Sequence, residues 1–98
     1  YVHGVPGALS VEVTSFCGSH GYTPLTTKPL PKPIIALALR DRVAPVETEL
    51  AAYENHSKEL LIDLVMMDPR SHSRKQAQAL VDEILDLPSH EEMKRWYQ

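Results

Sequence analysis

Three features of this sequence predict an α+β fold, a β-hairpin followed by four or five helices. All four glycines and five of the eight prolines lie in residues 1–33, which excludes long helices there. Residues 9–17 alternate imperfectly between apolar and polar and are followed by a Gly18-Ser19-His20-Gly21 turn and an apolar run from Tyr22 to Thr26, which makes residues 9–26 a candidate hairpin. From Ile34 onward the apolar spacing becomes helical.

Each element has its own local reason. Leu9, Val11, Val13 and Phe16 alternate imperfectly with Ser10, Glu12, Thr14 and Ser15, a β-branched, half-buried strand pattern. The turn offers two glycines able to take positive φ, and Tyr22 to Thr26 reads as the return strand. Pro24 has no N–H for a ladder, so it puts that strand at an edge or ends it early. Lys28-Pro29-Leu30-Pro31-Lys32-Pro33 is an extended connector. Pro33 suits a first helical turn, and Ile34, Ile35, Leu37, Ala38 and Leu39 open an apolar face that runs to Val43. Pro45 predicts a break or kink, with Val46, Leu50 and Tyr53 continuing the stripe beyond it. After the Asn55-His56-Ser57 loop, Lys58 to Met67 is apolar around too much of its circumference for a surface helix. Leu60, Leu61, Leu64, Val65 and Met67 are therefore the candidate core or interface residues of the chain. Asp68-Pro69 ends that helix. Ser73 with Gln76 has capping-box spacing and opens a helix with the stripe Ala77, Leu80, Val81, Ile84 and Leu87. Ser89 with Glu92 repeats the signature before a short helix bearing Met93 and Trp96.

Size and charge narrow the function. A chain of 98 residues is one small domain that buries about 60–65% of its unfolded surface, so a two-domain enzyme does not fit in it. It reads as a single fragment, residues 1–33 holding the hairpin and connector and residues 34–98 the helices. The net charge is −3, divided as +1 and −4 between those parts, without the basic field that nucleic acid requires. Glu54/Lys58 and Glu91/Arg95 have i,i+4 spacing and read as solvated pairs. No apolar run approaches the about 18 residues that span a bilayer, and the first residues lack a signal-peptide pattern. One cysteine, Cys17, allows no internal disulfide and suits a reducing compartment, the cytoplasm by default. The chain starts at Tyr1 with no methionine before Met66, so a piece of a longer protein is expected.

Candidate chemistry is thin. Cys17 and His20 have C-x-x-H spacing but no second half, since His3, His56, His72 and His90 fall in separate loops. A Cys17 nucleophile lacks an orienting third group. Glu47 and Glu49 lie on different helix faces, and Glu91 and Glu92 are adjacent in a first turn, where the helix dipole accounts for them. No glycine-rich phosphate loop occurs. From its residues the chain holds no catalytic, cofactor-binding or metal site. What it does hold is surplus apolar surface, because two strands make no stable sheet alone.

The order of short motifs is nevertheless distinctive. Val11-Glu12-Val13, the Ser19-His20-Gly21 turn, Pro24-Leu25 and Leu30-Pro31 are followed by Val46-Glu47, Glu49-Leu50 and the Asn55 loop. Met66-Met67-Asp68-Pro69, Gln76-Ala77, Ala79-Leu80-Val81 and Ile84-Leu85 come next. Over residues 5–97 this resembles the carboxy-terminal region of glycoside hydrolase family 4. It departs at Thr14, where the family often has proline, and at His20-Gly21-Tyr22, where Asn-Gly-Ile is usual, so the sugar stays unspecified. The resemblance implies the C-terminal part of the substrate domain of a lactate/malate-dehydrogenase-like fold. It also implies a parent enzyme that uses NAD and a divalent metal, manganese foremost, to cleave α-linked glycosides by oxidation, elimination, water addition and reduction. The nucleotide-binding domain, the metal-ligating Cys and His, and the base are then expected upstream and absent here. The expected partners are the rest of the parent chain, a carbohydrate substrate and further copies in a homo-oligomer. A helical interaction or oligomerisation module without enzymatic ancestry is the competing expectation. The 98-residue chain alone is expected neither to bind NAD nor to cleave glycosides; measurable NAD binding in isothermal calorimetry would contradict this.

Overall fold

The computed structural model describes residues 2–26 and 28–98. An antiparallel hairpin, β1 (Ser15–Gly18) and β2 (Gly21–Pro24), precedes the helices α1 (Lys32–Ala38), α2 (Ala44–Glu54), α3 (Lys58–Met66), α4 (Arg74–Leu85) and α5 (Glu91–Trp96). A π turn at Leu39–Val43 separates α1 from α2, and a 3-10 turn at Pro88–His90 precedes α5. With α1, the π turn and α2 counted as one helical run, this is the expected hairpin followed by four helices. The described residues form two compact units, one ending at Val43 and the other spanning Ala44–Gln98.

In the first unit the hairpin is shorter than the alternation predicts. Ser15 pairs with Pro24, Phe16 with Thr23, Cys17 with Tyr22 and Gly18 with Gly21, while Leu9 to Val13 lie outside the ladder. Only Gly21 of the two turn glycines takes a positive φ, +111°, a conformation that side-chain-bearing residues rarely adopt. β2 ends at Pro24, which pairs with Ser15 at a position where a strand nitrogen faces away from its partner, so the ring is tolerated, and Leu25 N–H still donates to the Thr14 carbonyl just beyond it (2.9 Å). Phe16 and Tyr22 are 72% and 74% exposed, so the half-buried face predicted for Phe16 is uncovered in this chain. Gly4 packs on α1 so closely that a β-carbon there would lie 3.0 Å from Ile35 Cγ2. Pro31 is the N-cap of α1, and Pro33 falls in its first turn. The break predicted at Pro45 takes the form of the π turn before it. Proline has no N–H for the Asp41 carbonyl four residues back and its ring crowds that oxygen, and a widened turn relieves the conflict.

The second unit is three helices in succession, α2 on α3 and α3 on α4, with α5 against α4. Its core is small. Ile62 of α3 meets Ala77, Val81 and Leu85 of α4, ringed by half-buried Leu61, Val65 and Tyr97. The buried row on α4 is the i, i+4, i+8 set, whereas Leu80, Ile84 and Leu87 of the predicted stripe are exposed; α4 meets α3 along a narrower line than the apolar sequence suggests. On α2 the inward residue is Ala52, fully buried, and the predicted stripe Val46, Leu50 and Tyr53 faces outward. A small side chain lets neighbouring helices approach closely, so packing here selects alanine over the larger residues beside it.

Side chains seal the helix ends. Ser57 accepts a hydrogen bond from the Leu60 N–H (3.2 Å) at the start of α3, and Ser73 accepts from Gln76 N–H (3.1 Å) at the start of α4. The reciprocal arm of the predicted box reaches one residue further back, with His72 N–H donating to Gln76 Oε1 (2.9 Å). At the C-terminal ends, Ser71 Oγ donates to the Val65 carbonyl (2.6 Å) and His90 Nδ1 lies 2.7 Å from the Ile84 carbonyl. Ser89 is not a cap: the N-cap of α5 is His90, with no side-chain hydrogen bond. Pro88 starts a 3-10 turn that carries the chain past Ser89 before the α-helix begins.

Ser73→Ala is expected to cost about 0.5–2 kcal/mol by removing an acceptor for an orphan N–H, and Ser89→Ala close to nothing; urea unfolding of both variants checks the contrast. Ile62→Ala is expected to cost about 2–5 kcal/mol, the range for emptying a fully enclosed aliphatic site. Leu64→Ala, at a half-buried position, should cost less in the same experiment.

Candidate functional site

The residues selected from sequence as core or interface share α3 and its C-terminal cap but not one environment. Leu60, Leu61, Leu64 and Val65 are half-buried and Met67 is 44% exposed. The fully enclosed residue of the helix is Ile62 at 1% exposure, which the choice of anchors passed over. Leu64 and Val65 join Ala77 and Leu80 of α4 in lining an open depression of about 580 Å³, rimmed by Asp68, Arg70 and Glu83. Thr48 of α2 reaches the same C-terminal end of α3, with its Oγ1 3.8 Å from Met67 Sδ.

Charge around these helices is paired across elements. Arg74 at the start of α4 spans two carboxylates of α3, with Nη1 2.6 Å from Asp63 and Nη2 2.5 Å from Glu59. Lys58 pairs with Asp82 and Lys94 with Asp86. The Lys94 ammonium holds the Asp86 carboxyl below its ordinary range. Lys58 thus turns to α4 rather than to Glu54, the partner its spacing suggested, because α3 begins a new axis after the turn. Glu91 and Arg95 do approach, at 3.7 Å. Beyond α3, the Arg70 guanidinium and backbone N–H hold the Asp68 carboxyl down to about 2. Each of these side chains is at least about a third exposed, so water screens the pairs and they add little stability.

The candidate chemistry is dispersed. Cys17 is exposed on β1 opposite Tyr22, and His20 is exposed in the turn. Glu47 and Glu49 lie exposed on α2, and Glu91 and Glu92 occupy the first turn of α5. Among the described residues no three His, Cys, Asp or Glu side chains converge on a point that could hold a metal ion. No described helix is long and apolar enough to cross a membrane.

One cluster escaped sequence reasoning. Tyr53, His56 and Trp96 are 40 or more positions apart across the pairings with Trp96, yet their rings meet: Trp96 stacks on Tyr53 with centroids 5.0 Å apart and lies 4.0 Å from His56. Nothing in the local pattern signals it, since Tyr53 reads as one of an apolar stripe and His56 as a loop residue.

What the arrangement presents is apolar surface: side chains along α3 and α4 and a two-stranded hairpin with an exposed aromatic on each face. Residues 1–71 match the model of the family 4 glycosyl hydrolase C-terminal domain, and the chain belongs to that family.

Proposed function

We propose that this chain is the structural C-terminal segment of a glycosidase that acts on α-linked glycosides with NAD and a divalent metal, manganese foremost. The family match over residues 1–71 carries the reading; a glycoside hydrolase parent follows from membership, and the cofactor, metal and oxidation–elimination chemistry rest on the family resemblance. The described residues of this chain do not fit either group. They bring no ligand set together, and the turn glycines lie in a hairpin rather than before a helix N-terminus that would cradle phosphate. No step of the reaction is therefore assigned to them.

Their role is to complete the substrate domain. The half-buried Leu60, Leu61, Leu64 and Val65, with exposed Met67, offer a face for the remainder of the parent or for a second subunit. Burying a side chain of this kind is worth about 1.5–3 kcal/mol. A cytoplasmic setting agrees with the exposed, unpaired Cys17.

The test uses the full-length parent with p-nitrophenyl α-glucoside, α-galactoside and the corresponding galacturonide. Cleavage of at least one is expected to disappear when NAD is removed and, separately, when metal is chelated, and to return on adding back NAD or Mn²⁺. Activity that survives both treatments overturns the proposed chemistry while leaving family membership intact. No cleavage of any glycoside by a folded parent favours an interaction module.

A further inference from the structure

The end of the chain is fastened to the turn between α2 and α3 by contacts that play no part in the glycosidase reading. Trp96 engages two rings, stacked on Tyr53 (5.0 Å, planes 23° apart) and tilted against His56 (4.0 Å, 46°). Its indole N–H donates to the Tyr53 carbonyl at 3.0 Å, and His56 Nδ1 lies 3.2 Å from the Trp96 carbonyl oxygen. The backbone closes the same loop. Gln98 N–H donates to the His56 carbonyl (3.1 Å), and Lys58 N–H donates to the Gln98 carbonyl (3.2 Å). His56 has a φ of +53°, the one positive value among the described non-glycine residues. This left-handed residue turns both its ring and its carbonyl to the same short segment. Between the fastened residues, Tyr97 is half-buried against the Ile62 cluster; burial, with the Glu49 charge behind it, pushes its phenol up. The strap therefore closes one edge of the core.

We infer that this fastening is a proton-responsive clasp: protonation of His56 tightens the Trp96–Gln98 strap on the α2–α3 turn. A neutral imidazole donates from one nitrogen only, and which one depends on the tautomer. The imidazolium always has a proton on Nδ1 for the Trp96 carbonyl, and the charge-assisted bond is stronger. The same charge lies within the about 6 Å over which a cation is attracted to an indole ring. Both effects act in one direction. The charged groups sharing the depression with His56 are Glu92 and Arg95 of α5, one of each sign. From α2 the neighbour is the Tyr53 ring, and Lys58 at the start of α3 is paired with Asp82. The clasp has its charge-assisted part while the ring carries both protons and lacks it when the ring is neutral.

Trp96 is the sole tryptophan of the chain, so the clasp reports on itself. Between pH 8 and 5, the range in which histidine changes charge, Trp96 emission is expected to fall as the imidazolium quenches it. Over the same interval, amide protection at Gln98 and Lys58, corrected for intrinsic exchange, is expected to rise about two- to fivefold. His56→Asn, a residue that tolerates left-handed backbone, is expected to abolish both changes. Unchanged emission and protection in the wild type, or an Asn variant that titrates as the wild type does, overturns the inference. A check that needs no variant is the wild-type NMR titration. The Trp96 indole N–H must follow the His56 imidazole midpoint; if it tracks His3, His20, His72 or His90 instead, the clasp is refuted.

Discussion

The contact between Ile62 and the Ala77-Val81-Leu85 row is the constraint on which the rest of Ala44–Gln98 depends. Positions four apart on a helix fall nearly one above another, so three small or branched side chains of α4 form a shallow track, and a single isoleucine of α3 lies in it. With so few buried side chains, each matters disproportionately: close packing means that a missing methylene leaves a void rather than a rearrangement. Three of these four residues lie beyond Ser71, where the family match ends. Residues 74–98 are thus not an appendage to the matched region but the other half of the core that α3 of the matched region needs.

Around this track the helix ends are closed by polar side chains rather than by further apolar burial. Ser57 and Ser73 accept from orphan N–H groups. Ser71, His90 and the Trp96 indole meet the last carbonyls of α3, α4 and α2. Such bonds contribute about 0.5–1.5 kcal/mol each in net terms, and their directionality is worth as much as their energy, because a cap forms only when the helix stops at one residue. The cross-helix pairs of Arg74 with Glu59 and Asp63 act similarly. Exposed, they add little stability, but they favour one register of α4 along α3.

Membership of a C-terminal glycosyl hydrolase domain family makes sense of what the chain leaves uncovered. Phe16 and Tyr22 lie on opposite faces of a hairpin both of whose strands are edges, and the apolar stripe of α2 faces outward. Beside these exposed apolar faces, no three metal-ligating side chains converge among the described residues.

The sequence by itself determined the class of fold, the order of elements and most of their boundaries, because these rest on local chemistry. Glycine and proline confine the hairpin to the first third, Ser57 and Ser73 start helices, Pro45 forces an irregular turn, and Asp68-Pro69 stops α3. The family, too, was legible in the order of short motifs. Tertiary structure alone decided which apolar face of each helix turns inward. Val46, Leu50 and Tyr53 form as good a stripe as any, yet Ala52 is the residue that packs, because close approach of helices depends on the partner's shape and not on hydrophobicity. For the same reason Ile62 rather than Leu64 is enclosed. The Tyr53–His56–Trp96 cluster and the Lys58–Asp82 pair were beyond reach of any local reading, since contacts between residues 24 to 43 positions apart arise from how helices fold back on one another. Ser89 shows the converse limit: a correct capping signature is overridden when the preceding proline carries the chain into a 3-10 turn first.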